Sequence, residues 1–284
     1  MSFDAQREKV MEIASAILEE GTVGSVIGYK AGGIEGMRIP YIFEKPVDAE
    51  ALCWDQRCAP NLSTYAYEKR DKRVGIIAKP CDARGIALYI AEDQLAREDV
   101  FIIGVDCEGM IDADGEKLPG CAECNDKKPP IFDVRVESNS LDEEYCDEDG
   151  KGSQASDFDK FQQEIEKCIL CYSCRQACPG CYCPVCFMER GVPNWQPKEP
   201  GAGAKMTYHL GRAMHLSGRC VECGACERVC ASGVDVRYLI KETTGFVSEL
   251  YGFRAGFDPD ADPVLASYNI ADREIGFMGG EENE

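Results

Sequence analysis

Hydrophobic positions over residues 1–136 alternate between the spacing of a helix and the continuous apolar runs of buried strands. Val10 and Ile17 lie on one face of a helix predicted over residues 4–20. The predicted strands are residues 22–29, 74–78, 100–105 and 131–136. Between the second and third of these strands, residues 82–93 have the pattern of a helix. A strand, a helix and a parallel strand form a βαβ unit, so we predict an α/β domain over this part of the chain.

The pattern changes after this domain. Residues 137–159 contain nine acidic residues and one basic residue, which indicates a solvated acidic linker. A cysteine-rich domain follows over residues 160–245 and opens with a helix over 161–167. Residues 246–284 show little periodicity, and we predict an acidic C-terminal extension that either wraps another surface or is partly disordered. The longest apolar runs are about five residues, well short of the length that spans a bilayer, so no membrane span is predicted.

Composition narrows the candidate functions. The chain has 284 residues, of which 18 are cysteine, and a formal net charge of −20. A polyanion repels nucleic acid backbones and anionic membrane surfaces, so neither is expected as a partner. The N-terminal residues lack the cationic and apolar segments of a secretory signal, which predicts a cytoplasmic protein. Because that compartment is reducing, clustered cysteines are interpreted as metal ligands rather than as disulfides.

The most specific motif is a cysteine spacing that occurs twice. The two runs are Cys168, Cys171, Cys174 and Cys178, and Cys220, Cys223, Cys226 and Cys230. Each run has the C-x2-C-x2-C-x3-C spacing of bacterial ferredoxins, in which three thiolates hold one 4Fe-4S cluster and the fourth holds the other. The predicted ligand sets are Cys168, Cys171, Cys174 and Cys230 for one cluster, and Cys220, Cys223, Cys226 and Cys178 for the second. Zinc sites use two spaced pairs instead, so we expect a small α+β ferredoxin-like domain with two clusters.

Three further cysteines lie between the two runs, in the segment CPGCYCPVC. Cys181, Cys183 and Cys186 are too closely spaced for ordinary packing. They could hold an additional cluster with a fourth ligand from elsewhere, and the candidates are Cys58, Cys53 and Cys146. They could also be alternative ligands of the second ferredoxin cluster, or structural thiols buried near the clusters. Spacing alone does not choose among these roles, because it does not supply four ligands.

A second group of cysteines belongs to the predicted α/β domain. Cys81 follows one predicted strand in IIAKPCDARG, and Cys107 follows the next in IIGVDCEGM. Because the carboxyl ends of neighbouring parallel strands meet at one edge of a sheet, we expect these two thiols to lie close together. Cys121 and Cys124, in GCAEC, would complete a four-thiolate site. From the residues alone, this site could bind zinc or an iron–sulfur cluster, or the juxtaposition could be coincidental.

The segments around these cysteines resemble a known family. AKPCDARGI, GVDCEGM and GCAECNDKKPPIFDV are similar to segments of the beta-subunit family of coenzyme F420 hydrogenases and dehydrogenases, over about residues 10–136. The resemblance implies an α/β fold of that family's type and a 4Fe-4S cluster on Cys81, Cys107, Cys121 and Cys124. A ferredoxin module is a common addition among relatives of the family.

The same resemblance implies an FAD site, since members of the family exchange hydride between FAD and the deazaflavin. The chain has no G-x-G-x-x-G fingerprint, and AGGIEG at residues 31–36 is interpreted as a turn between strands. Lys79, Asp82 and Arg84, beside Cys81, are candidates to contact a flavin phosphate or a partner. The alternative is a helix start capped by Asp82 with solvated charges.

The two histidines, His209 and His215, lie in a predicted amphipathic helix that leads to Cys220. Met206 and Met214 repeat on one face of that helix. Either histidine could donate a hydrogen bond to a cluster sulfide. The alternative is simple packing, because neither has a convergent partner in the sequence.

Together these motifs predict an iron–sulfur electron-transfer subunit that relays electrons between partner subunits of a cytoplasmic redox complex. It would hold three 4Fe-4S clusters, or four if the CPGCYCPVC segment holds one. The resemblance implies a flavoprotein, hydrogenase, formate dehydrogenase or heterodisulfide-reductase-like subunit as partner. The alternative is an FAD-containing subunit that oxidises or reduces a deazaflavin or nicotinamide coenzyme. The ferredoxin spacing disfavours a zinc-stapled binding module.

Overall fold

The chain begins with the helix that its apolar spacing predicts. The computed structural model describes residues 2–46, 51–67, 72–138, 158–189 and 199–268. Helix α1 spans Phe3–Glu19, and the Ser2 side chain caps it by accepting the backbone N–H of Ala5. Val10 and Ile17 bury one face of α1 in the core of the α/β domain.

A mixed sheet forms the centre of this domain. Its strands are β1 (Ser25–Ala31), β2 (Arg38–Phe43), β3 (Leu52–Cys53), β4 (Val74–Ala78), β5 (Val100–Val105) and β6 (Val134–Val136). They lie in the order β2-β1-β4-β5-β6, and β3 pairs with the second half of β1. Strands β1, β4, β5 and β6 are parallel, whereas β2 and β3 are antiparallel to β1. The predicted α/β class is confirmed.

The central strands are buried because helices cover the sheet. Helix α3 (Pro80–Ala91) connects β4 to β5 and completes the predicted βαβ unit. Two one-turn helices, α2 (Ser63–Ala66) and α4 (Pro119–Ala122), lie in the connections. Every residue of β4 is buried, as expected for an apolar run covered on both faces. The turn predicted at residues 31–36 joins β1 to β2.

The cysteine-rich module is helical in the residues that are described. Its helices are α5 (Phe158–Glu166), α6 (Ser173–Gln176), α7 (Ala202–Leu216), α8 (Ala225–Arg228) and α9 (Val236–Tyr251). Residues 158–189 and 199–268 contain no strand, which differs from the predicted α+β class. The long helices α7 and α9 pack together, and Tyr208, Leu216 and Ile240 bury their side chains with the cysteines. This helical pair supplies the core that strands would otherwise provide.

The end of the chain ties the module to the α/β domain. Helix α9 continues across the predicted boundary at residue 245, and the following residues return to the first domain. Ala255, which is 3% exposed, forms a small shared core with Leu88 of α3 and Val221. Residues 139–157, most of the predicted linker together with Cys146, lie outside the described residues. No helix within the described ranges is both long and apolar enough to cross a membrane.

Candidate functional site

Two cysteines lie at the same edge of the sheet because β4 and β5 pair in register. Ala78, the last residue of β4, lies opposite Gly104 of β5. Cys81, in the first turn of α3, and Cys107 follow these two positions at the same distance along the chain. The backbone N–H of Cys107 donates to the Lys127 carbonyl at 3.0 Å, which fixes the loop after β5. The predicted juxtaposition of Cys81 and Cys107 therefore follows from the parallel pairing.

Cys121 and Cys124 approach this edge from α4. A Cβ atom added to Gly109 would lie 3.4 Å from the Cβ of Cys121, so the loop after Cys107 packs directly on α4. The thiol of Cys107 also interacts electrostatically with those of Cys121 and Cys124. These four cysteines, Cys81, Cys107, Cys121 and Cys124, are called the sheet-edge site.

Burial governs the acidity of the thiols at the sheet-edge site. It raises the pKa of Cys81 well above its ordinary value and that of Cys107 to about 12. A thiolate at these positions is unfavourable unless a bound cation compensates its charge. The environment therefore suits a metal centre better than a reactive free thiol, which needs a lowered pKa.

The two ferredoxin-type runs share an unusual backbone conformation. Before the second cysteine of each run, Leu170 and Glu222 have φ angles of 54° and 55°. After that cysteine, Tyr172 and Gly224 have φ angles of 61° and 68°. Left-handed conformations at residues other than glycine are uncommon and cost free energy. Their recurrence at matching positions indicates two copies of one loop, each curled in the same way around the first three cysteines of its run.

The fourth cysteine of the first run joins the cysteines of the second run. One small cavity, called the inner cavity, contains Cys178, Cys220, Cys223 and Cys226 in its lining. Arg212 of α7 also lines it. Burial raises the pKa of Cys226 to about 12. The inner cavity thus gathers one of the two crossed ligand sets that the spacing predicts.

The other crossed set surrounds a second cavity. This outer cavity contains Cys168, Cys171, Cys174 and Cys230 in its lining. The thiol of Cys168 accepts the backbone N–H of Leu170, and that of Cys230 accepts the N–H of Val234, each at 3.3 Å. N–H···S hydrogen bonds of this kind influence the reduction potential of a ligated cluster.

Both cavities suit a four-thiolate centre. Among the described residues, no three His, Cys, Asp or Glu side chains converge closely enough to hold a single metal ion. A 4Fe-4S cluster has a different requirement, which is four thiolates distributed around it. Each cavity is also lined by a residue with a buried nitrogen that has no hydrogen-bond partner among the described residues. This nitrogen is Nε of Arg212 in the inner cavity and Nε2 of His209 in the outer cavity. The sulfurs of a cluster accept such hydrogen bonds, so the residues present fit the group.

The inner cavity adjoins the sheet-edge site. A Cβ atom added to Gly120 of α4 would lie 3.4 Å from the Cα of Gly224, so the two backbones are in direct contact. The thiol of Cys223 interacts electrostatically with that of Cys81. The sheet-edge site and the inner cavity are therefore neighbours across the interface between domain and module.

Lys79 and Asp82, beside Cys81, are buried rather than solvated, which corrects the capping alternative. Their side chains are 2% and 0% exposed, and Lys79 Nζ lies 2.8 Å from Asp82 Oδ2. Asp82 does cap α3, because it accepts the backbone N–H groups of Lys79 and Leu62 at 2.9 and 2.8 Å. The Lys79 ammonium also donates to the Tyr29 hydroxyl. Both charges are thus satisfied within the protein.

Arg84 fastens the module to the α/β domain. Its guanidinium lies 2.6 Å from the Asp126 carboxylate and 3.4 Å from that of Glu222. It also donates twice to the carbonyl of Ala255, at 3.0 and 3.1 Å. Sequence reasoning missed this role because these partners lie 42, 138 and 171 residues away. With their donors engaged in this way, Lys79 and Arg84 do not fit a flavin phosphate.

The cysteines of the CPGCYCPVC segment have different environments. Cys181 is hydrogen-bonded to the Cys178 thiol, and Cys186 packs in the core of the module. Cys183 is exposed. Cys58 belongs instead to the core of the α/β domain, where its thiol contacts the Cys53 carbonyl at 3.7 Å. The structure does not bring Cys58 to this segment as a fourth ligand.

The two histidines of α7 also have different environments. The His215 ring packs against Phe187, with centroids 4.9 Å apart. His209 is 3% exposed and lines the outer cavity. Burial, with a contribution from the charge of Arg212, lowers the pKa of His209 to about 4. His209 is therefore neutral at neutral pH, and its Nε2 atom has no partner among the described residues.

Comparison with known proteins extends the resemblance along the chain. No family model matches it. It is 25% identical, over 348 aligned residues, to the F420-dependent formate dehydrogenase subunit beta of Methanocaldococcus jannaschii, with 88% of this chain and 91% of that subunit covered. It is 26% identical over 97 residues to the F420-dependent formate dehydrogenase 1 subunit beta of Methanococcus maripaludis, with 34% and 25% covered. The first alignment covers most of the α/β domain and of the cysteine-rich module, and this similarity supports the resemblance to the beta-subunit family of F420-dependent dehydrogenases.

Proposed function

We propose that the chain is an iron–sulfur electron-transfer subunit that relays electrons between partner subunits of a redox complex. The observation that supports this most strongly is the contact between the sheet-edge site and the inner cavity, together with the hydrogen bond from Arg212 of the inner cavity to Cys174 of the outer cavity. Three four-cysteine groups in succession are suited to a relay. The similarity to formate dehydrogenase beta subunits supports the same class of role.

Twelve cysteines would hold three 4Fe-4S clusters in this proposal. The sets are Cys81, Cys107, Cys121 and Cys124; Cys178, Cys220, Cys223 and Cys226; and Cys168, Cys171, Cys174 and Cys230. When bound, the clusters would supply one-electron carriers. The chain orients the thiols, buries Cys107, Cys174 and Cys226, and donates backbone N–H groups to the sulfurs of Cys107, Cys168 and Cys230.

The contacts between sites give the proposed relay an order. Gly120 of α4 contacts Gly224 beside Cys223, and the thiol of Cys81 interacts electrostatically with that of Cys223, so the sheet-edge site is next to the inner cavity. Arg212 lines the inner cavity and donates to the Cys174 carbonyl of the outer set at 3.2 Å, so this side chain links the two cavities. The inner cavity is therefore the middle station, and the other two sites are the ends.

The relatives' names suggest the partners. Both are beta subunits of F420-dependent formate dehydrogenases, so a formate dehydrogenase subunit is the first candidate at one end. A flavoprotein, a hydrogenase or a heterodisulfide-reductase-like subunit would serve the same chemistry. The charge of −20 favours a partner whose docking surface is basic.

Replacing Cys81 by Ala tests the proposal. In the full chain, loaded anaerobically with iron and sulfide, the variant should lose one of three reducible EPR signals and keep the two from the ferredoxin-type cavities. Cys58→Ala is the matched control, because Cys58 is a buried cysteine of the same domain outside the three groups. Persistence of all three signals in Cys81→Ala would refute the assignment of the sheet-edge site.

The second candidate function is that of an FAD-containing subunit that oxidises or reduces a deazaflavin or nicotinamide coenzyme. The F420 dependence named for the relatives favours it. Lys79, Asp82 and Arg84 are engaged in buried ion pairs and do not support it. Flavin analysis of the chain purified anaerobically separates the two candidates. Bound FAD that is reduced by reduced F420 would overturn the relay-only account.

A further inference from the structure

Helix α7 carries two buried nitrogen groups that face different cavities. His209 lines the outer cavity and Arg212, one turn later, lines the inner cavity. They are 3% and 4% exposed. Nε2 of His209 and Nε of Arg212 both lack hydrogen-bond partners among the described residues. An unpaired buried donor is costly, so each is expected to serve a group that occupies the cavity.

Arg212 is held between the two cavities. One of its terminal nitrogens donates to the Cys174 carbonyl, at 3.2 Å, in the loop that supplies the outer cavity. The guanidinium also contacts the thiol of Cys181, beside Cys178 of the inner set. Its Nε, which has no partner, belongs to the same planar group. The anchored end fixes the guanidinium against the inner cavity.

Arg212 differs from the other charged residues that line the inner cavity. Glu222 is neutralised by Arg84 and Arg254 at 3.4 and 3.2 Å, and Arg237 is neutralised by Glu227 at 3.1 Å. Within the described part of the chain, Arg212 forms no ion pair with a carboxylate. Its positive charge is therefore directed at the contents of the cavity, with little water to screen it.

The inner and outer cavities therefore differ in the charge of the side chains that line them. A guanidinium stays charged at all accessible pH values, whereas the described lining of the outer cavity contains no Lys or Arg side chain. Reduction adds one electron to a cluster, and a buried cation stabilises the form with the additional negative charge. The cluster beside Arg212 is thus easier to reduce than one beside a neutral donor.

We propose that Arg212 raises the reduction potential of the cluster in the inner cavity above that of the cluster in the outer cavity, so that an electron rests at the middle station in preference to the outer one. This inference rests on the proposed function, because it requires clusters in both cavities. Arg212 is not a ligand in it. Its role is to set a potential.

EPR-monitored redox titration of the anaerobically loaded full chain tests the inference, with dithionite as the electron donor. Cys171→Ala and Cys220→Ala first assign the signals of the outer and inner clusters. Arg212→Gln should then lower the ratio of reduced to oxidised inner cluster at a fixed potential by about tenfold, which is 59 mV for a one-electron couple. The outer cluster should shift less. Arg212→Lys, which keeps the charge, should retain most of the wild-type potential.

Lys241→Gln is the matched control, because it removes one positive charge from a side chain of the module that is 54% exposed. Solvent and salt screen that charge, so no shift is expected. An unchanged inner potential in Arg212→Gln with full iron content would overturn the inference alone. Loss of inner-cavity iron in both Arg212 variants would overturn it too, by showing a structural role. Absence of clusters from the wild-type chain would instead refute the proposed function.

Discussion

The burial of charged side chains is the feature of this protein that is hardest to predict from the sequence. Lys79 precedes helix α3, and Asp82 and Arg84 lie in its first turns, positions where charges are ordinarily solvated. The structure buries all three, because Asp82 satisfies the start of α3 and Arg84 meets carboxylates from distant parts of the chain. The capping role of Asp82 was predictable from its local position. The partners of Arg84 were not, because they are brought together only by the packing of the module on the domain.

Arg84 should contribute much more to stability than an exposed ion pair at the same interface. Replacing it by Met leaves the Asp126 carboxylate, 10% exposed, with Arg254 alone. Breaking a buried pair typically costs about 3 kcal/mol or more. We therefore expect Arg84→Met to lower the free energy of unfolding by about that amount, measured by urea denaturation of the loaded chain.

Glu123→Gln provides the contrast at this interface. Glu123 is 51% exposed and pairs with Arg237 and Lys241 of α9 at 3.1 and 2.8 Å. Hydrogen bonds from these two side chains lower the pKa of Glu123 to about 2. The contribution of the pair to stability is therefore complete above pH 4.5 and is lost as the pH falls from 4.5 through 2. Because solvent screens it, the substitution should cost less than about 1 kcal/mol at pH 7. Equal losses in Arg84→Met and Glu123→Gln would contradict the account.

Gly256 is required by a close backbone approach. Its φ is +80°, and a Cβ atom there would lie 2.1 Å from the carbonyl oxygen of Arg84. Gly256→Ala should therefore destabilise the protein by about 2 kcal/mol or more, since both the conformation and the contact are unfavourable. Gly203→Ala in α7, where nothing lies within 4 Å, is the control and should not lower the thermal midpoint. A midpoint unchanged in Gly256→Ala would show that residues 252–268 are not held against α3.

Among the secondary-structure elements, those with a strong hydrophobic pattern were predictable. The continuous apolar runs give β4 and β5 with the predicted bounds, because a buried parallel strand needs no polar face. The end of α9 and the helical character of the module were not predicted. Both depend on packing between α7 and α9, which bury apolar residues contributed from separate segments. The left-handed residues of the cysteine loops also had no sequence signal at Leu170, Tyr172 and Glu222.

The CPGCYCPVC segment should not hold a cluster of its own. Cys183 is exposed, and Cys58 is packed in the other domain. We expect the double variant Cys183→Ser and Cys186→Ser to retain the full iron content of the chain. Cys220→Ala is the positive control, because it removes a proposed ligand. Loss of about four irons from the double variant would place a further ligand in this segment.

For the molecule as a whole, the composition of the sites was predictable but their order was not. The repeated spacing predicted the crossed grouping of Cys178 and Cys230, and the cavities contain these cysteines in that grouping. Parallel strand pairing likewise predicted the approach of Cys81 to Cys107. The contact between Gly120 and Gly224, which joins the sheet-edge site to the inner cavity, depends on domain packing and has no local signature.

Iron and acid-labile sulfide, determined per chain on anaerobically prepared protein, bear most directly on the proposed relay. Three 4Fe-4S clusters require about 12 irons and about 12 sulfides per chain. We expect these values for the wild-type chain and about eight of each for Cys107→Ala, in which only the sheet-edge site is altered. A wild-type value near eight, unchanged in Cys107→Ala, would contradict a cluster at the sheet edge and with it the proposed three-station relay.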